Sequence, residues 1–127
     1  MRVRAAARIL ENMFLKAPKS TDCLAWTQHC IDKMRYYGLS ESRVKGVLNR
    51  PKRKEEGIAP GTVAHMRPSG TKKRPSEIWI MFQDHKYRGK IKVRMISAWR
   101  YPGVTKPRDP VPIPDDIREQ LEAWVAK

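Results

Sequence analysis

Apolar positions recur first with a helical period and later with a strand period. Val3, Ala6, Leu10, Met13 and Phe14 fall at helical spacing, away from Arg4, Arg8, Glu11 and Asn12, which predicts a helix over 3–16 that cannot continue through Pro18. Such a helix suits packing on its own domain or docking on a partner. A second helix is expected over about 23–37. Leu24, Thr27, Cys30, Ile31, Met34 and Tyr37 share one broad face, and Gly38 supplies the C-cap. His29, Lys33 and Tyr36 line up on the other side at i, i+4 and i+7. Ser40 then caps a third helix that ends before Pro51, with Leu39 and Val44 placed as a hydrophobic staple. So short a connection makes the two helices a hairpin or a corner.

After Pro51 the period changes. "PKRKEEG", "GTVAHMR", "SEIWIMFQ" and "GKIKVRMISAWRY" read as four strands, linked by basic, turn-rich segments at 68–76 and 84–89. In the third strand Ile78, Ile80 and Phe82 point one way while Trp79 and Met81 load the other, so it should be central and covered on much of both faces. In the fourth, Ile91, Val93 and Met95 alternate with Lys92, Arg94 and Ile96, giving a core face and a basic one. Five prolines in "YPGVTKPRDPVPIP" keep the chain extended up to a last helix. There Asp115, Asp116 and Glu119 suit the positive helix start, and Ile117, Leu121 and Trp124 form the apolar stripe. The expected fold class is α+β: N-terminal helices packed on one face of a twisted antiparallel sheet of about four strands, with a C-terminal helix. Residues 1–20 would be a helical extension, 21–101 the domain, and 102–127 the proline-rich connection and last helix.

Charge adds a partner to this picture. The 127 residues carry 27 Lys plus Arg against 13 Asp plus Glu, a formal net charge of +14. Such a surplus attracts polyanions, and nucleic acid is the first to consider, although an acidic protein or an anionic membrane surface satisfies the same arithmetic. No apolar run approaches the roughly 20 residues of a membrane span, and the N-terminal stretch lacks a continuous apolar region of the secretory kind. Cys23 and Cys30, about two turns apart if both are helical, are too distant for a disulfide, which fits a reducing, cytoplasmic setting. The three histidines show no ligand spacing with either cysteine, so neither a metal nor another cofactor is expected.

Two stretches carry a resemblance. "HCIDKMRYYGLSESRVKGVLNRP" looks like a small bacterial family of uncharacterised domains with a histidine, then a basic residue and Met, then Gly-Ile/Leu-Ser and a helix; "IKVRMISAWR" is similar to a strand of BrnT-type toxins. Both groups resemble the RelE/ParE-like toxin superfamily. The resemblance covers roughly residues 26–101 and implies a helix–helix–sheet fold, messenger RNA cleavage in many members, and neutralisation by an antitoxin protein. It selects His29, Lys33, Arg94, Ser97 and Arg100, and departs at Trp99, where the BrnT-like pattern carries a second basic residue.

Metal-free RNA cleavage needs a base for the attacking 2′-hydroxyl, an acid for the leaving 5′-oxygen, and cations for the charge on phosphorus. His29 is the candidate base, Tyr36 or His85 a proton-transfer partner, and Arg94 with Arg100 the phosphate clamp, while Lys33 favours the neutral form of His29. Lys33, Lys92, Lys72, Lys73 and Arg74 are candidate RNA contacts. Trp99 could stack on a base or fill core. His29 could equally be a structural hydrogen-bonding residue. The expected activity is thus that of a toxin-like, RNA-binding, metal-independent endoribonuclease. The competing expectations are a non-catalytic nucleic-acid-binding or adaptor module of the same fold, and a structural protein assembled through its terminal helices.

Overall fold

A computed structural model describes residues 17–126 except residue 22. Residues 3–16, expected to be helical, lie outside the described residues, as does the side chain of Trp124. The elements run β1 (Leu24–Trp26), α1 (Gln28–Tyr37), α2 (Glu41–Asn49), β2 (Arg53–Glu56), β3 (Thr62–Gly70), β4 (Pro75–Tyr87), β5 (Lys90–Pro102) and α3 (Asp115–Ala126). The class is α+β, as expected, but the sheet has five strands in the order β1-β5-β4-β3-β2 and is mixed, because β1 runs parallel to β5.

The additional strand comes from the start of the expected second helix. The Thr27 side chain accepts from the Cys30 amide, which makes Thr27 the N-cap and begins α1 at Gln28. The preceding "LAW" is therefore released to pair with Val93–Met95, and Leu24 and Trp26 enter the core at 8% exposure. The other caps follow the sequence. Gly38 ends α1 in the left-handed region at φ 69°, Ser40 caps α2 through the Arg43 amide, and Leu39 and Val44 are buried in one cluster.

β4 is the central strand and both of its faces are covered. On the first face, α1 and α2 pack Cys30, Met34, Leu39, Val44 and Val47 against Ile78, Ile80, Phe82, Met95 and Ala98. The second face was expected to be open and basic. Instead Ile117 and Leu121 of α3, with Val111 and Ile113 before it, cover Ala64, Met66, Trp79, Met81, Ile96 and Trp99. The large apolar groups of "IWIMF" on both sides of one strand require this second cover.

Two hairpins are longer than expected. The segment 84–89 is mostly strand, turning only at Arg88 and Gly89, both at positive φ (53° and 77°), as a two-residue hairpin with the twist of its strands demands. The 68–76 connection shrinks to residues 71–74 between paired Gly70 and Pro75.

Register within β5 is broken once. Met81 pairs with Ser97 and Phe82 with Met95, so Ile96 is an extra residue, a β-bulge. Strand alternation reverses across it. Arg94 and Arg100, six apart, would share a face in a regular strand, yet Arg94 pairs with Gln83 on the α3 side whereas Arg100 pairs with Ile78 on the α1/α2 side.

Candidate active site

An open cleft of about 640 Å³ lies between α1, β5 and α3, lined by Thr27, His29, Asp32, Lys33, Tyr36, Arg94, Ile96, Gln120, Leu121 and Ala123. α1 brings His29, Lys33 and Tyr36 through their helical spacing, and β5 brings Arg94. The N-cap residue ties the two elements together, since Thr27 N–H donates to Met95 O (3.1 Å) and Thr27 Oγ1 to Ile96 O (3.1 Å).

His29 Nε2 shares a hydrogen bond of 2.9 Å with Ser97 Oγ, a fully buried hydroxyl. Burial lowers the His29 pKa below its ordinary value, and the neighbouring Lys33 charge lowers it further; a hydrogen bond to Gln120 and the carboxylates of Asp32 and Asp116 oppose them. The imidazole is thereby favoured in its neutral form. Lys33 forms an ion pair with Asp116 at the start of α3, and its ammonium lies 5.4 Å from the centre of the Tyr36 ring. Tyr37 Oη donates to the same Asp116 (3.4 Å), and its pKa is pushed up by burial first and by Asp116 next. Tyr36 is 56% exposed and Arg94 is exposed, so both can meet a ligand entering the cleft.

The other expected site residues lie elsewhere. Arg100 is across the sheet, where Nη1 donates to Ser69 Oγ (3.4 Å), a hydroxyl that also accepts from Arg43 (2.7 Å). The bulge thus separates the two halves of the expected phosphate clamp. Trp99 is fully buried, stacked on Trp79 with ring centres 6.3 Å apart, and its Nε1–H donates to Pro112 O (2.7 Å). It fills core and cannot stack on RNA. Lys72, Lys73 and Arg74 are exposed at the β3–β4 turn. That turn lies near the Pro102 end of β5, about eight residues and so on the order of 26 Å from Arg94 at ~3.3 Å per residue. His85 is on β4 opposite Lys92, outside the cleft. His65 packs edge-on against Phe82 at 4.7 Å, with Nδ1 3.2 Å from Leu48 O.

Sequence reasoning missed α3 as a wall of the cleft. Asp116 carried a signal only as a favourable charge at a helix start, and Gln120 carried none. Among the described residues no group of three or more His, Cys, Asp or Glu side chains converges as metal ligands would, and no helix is long and apolar enough to cross a membrane. No protein-family model, curated protein or solved structure matches the chain.

Proposed function

We propose that this chain is an RNA-binding protein resembling the RelE/ParE-like toxins, that the α1–β5 cleft cleaves RNA without a metal, and that an antitoxin protein restrains it. The observation that carries the reading is the convergence of His29, Tyr36 and Arg94 on one open cleft, from segments far apart in the sequence. In this reading Nε2–H of His29 donates to Ser97 Oγ, the bond to Gln120 gives way to substrate, and Nδ1 takes the 2′-hydroxyl proton. The lowered pKa keeps that nitrogen unprotonated at neutral pH. Arg94 neutralises the phosphate, and Tyr36 protonates the leaving 5′-oxygen.

The test is cleavage of end-labelled RNA in excess EDTA. Wild type should yield a 2′,3′-cyclic phosphate, and His29→Ala should lose roughly 10²–10⁴-fold in rate while keeping its fold by circular dichroism. A second reading, a non-catalytic nucleic-acid-binding module, draws support from Lys33 being paired with Asp116 and Arg100 lying on the other face, which leave fewer cations at the cleft for a developing phosphorane. Binding without cleavage, with or without ribosomes, would establish that second reading.

A further inference from the structure

Beyond Gln83, β4 loses its partner β3, and before Val93, β5 has no pairing with β1. Residues 84–92 therefore form a two-stranded ribbon reaching past the sheet, with Asp84 paired to Val93, His85 to Lys92 and Lys86 to Ile91 before the Arg88–Gly89 turn. In an antiparallel pair, opposed residues share a face and successive residues alternate. His85, Lys90 and Lys92 accordingly lie on the same side as Arg94, while Lys86, Ile91 and Val93 lie on the other. Lys90, Lys92 and Arg94 make one row of cations, spaced about 6.6 Å apart by two strand residues, and the row ends at the cleft wall. That step is comparable to the distance between successive phosphates along an extended nucleic-acid strand.

We infer that this ribbon face is a rail for single-stranded RNA, holding consecutive phosphates on Lys90 and Lys92 and delivering the next one to Arg94 in the cleft. A single file of cations suits one backbone, whereas a duplex presents two. The exposed Tyr36 ring at the end of the row gives an unpaired base a surface to stack on. The inference rests on the cleft being an RNA site, and it adds the strandedness of the substrate and the direction from which it enters.

The experiment is fluorescence anisotropy of the full chain with a labelled single-stranded RNA and a duplex RNA of equal length, over a series of salt concentrations. Each phosphate contact on a single strand contributes about 0.7 to the slope of log affinity against log salt. Lys90→Gln/Lys92→Gln should therefore flatten that slope by about 1.4 and weaken single-strand binding about tenfold or more at low salt. Lys54→Gln/Lys86→Gln removes the same charge from other surfaces and should leave the slope nearly unchanged. In the cleavage assay the ribbon variant should raise KM and leave kcat within about twofold. Equal slopes in the two double variants, tighter binding of the duplex, or no binding of single-stranded RNA by wild type would overturn the inference. Cleavage that persists with an unaltered KM would sink the rail and spare the nuclease. Binding that depends on Lys90 and Lys92 without any cleavage would sink the nuclease and uphold the rail.

Discussion

The α3-covered face of the sheet holds two polar regions with opposite characters. Toward the Pro102 end, Glu77 is 2% exposed, and its carboxylate accepts from Trp79 Nε1 (3.1 Å), from the Thr105 amide (3.0 Å) and from the Thr105 hydroxyl (2.8 and 2.9 Å). Arg53 closes the group. It donates to Thr105 Oγ1 (2.8 Å) and to Asp109 O, pairs with Glu55 (2.9 Å) and lies 5.2 Å from the centre of the Trp79 ring. At the cleft, by contrast, His29, Tyr36 and Arg94 face open volume. A buried carboxylate whose acceptor sites are filled by its own chain is a clasp, here fastening the proline-rich segment to the sheet. Polar groups turned toward a cavity have hydrogen-bonding capacity left for a ligand.

Damage to the clasp should therefore cost stability, and damage to the cleft should cost little. Trp99→Ala should have the largest effect, about 3–5 kcal/mol in a urea unfolding series, because it empties a fully buried site under α3 and strands the Pro112 carbonyl. A loss below 1 kcal/mol would mean that the proline-rich segment does not close this face. Glu77→Ala should follow at about 2–3 kcal/mol, since it leaves the Trp79 and Thr105 donors buried without their acceptor.

Acid should act on both histidine regions. His29 and His65 each have a folded-state pKa below the ordinary 6.5, chiefly through burial, so below about pH 6.5 the unfolded chain binds more protons than the folded one. Stability should hold above that pH and decline as pH falls toward the lowered values, read as a shrinking urea midpoint between pH 7 and 5. A midpoint that grows over this interval would contradict the assignment of both histidines. The smallest effect belongs to Asp116→Asn. The Lys33–Asp116 pair is partly exposed, and its loss should cost only about 0–1 kcal/mol, while the released Lys33 should tighten RNA binding measurably at low salt. Weaker binding would show that Asp116 organises the cleft rather than competing with RNA for Lys33.

The sequence was most legible where a local rule decides the outcome. Gly38, Ser40 and Pro51 punctuate α1 and α2, and "IWIMF" marks the central strand through its two loaded faces. β1 was hidden because three residues are too few to show a period and they adjoin a helix whose apolar face they continue. The bulge at Ile96 left no signal either. "RMISAWR" puts apolar residues on both faces in either register, and only pairing with Met81 and Phe82 shows which residue is extra. The site was half legible for the same reason. His29, Lys33 and Tyr36 follow from helical spacing, whereas the separation of Arg94 from Arg100 and the arrival of Asp116 and Gln120 depend on tertiary contacts that no local pattern encodes.

The pairing of β1 with β5 also orders events during synthesis. Thr27 hydrogen-bonds to Ile96, 69 residues further along the chain, and His29 to Ser97, 68 residues further. Until the ribosome has released β5, the sheet edge that receives β1 does not exist and His29 has no Ser97 to hold its ring. Local hairpins can close early, but this contact carries the loop-closure cost of more than half the chain and is made late. A nascent chain of this protein therefore emerges with its cleft unassembled, and the site comes into being only as translation of the domain is completed.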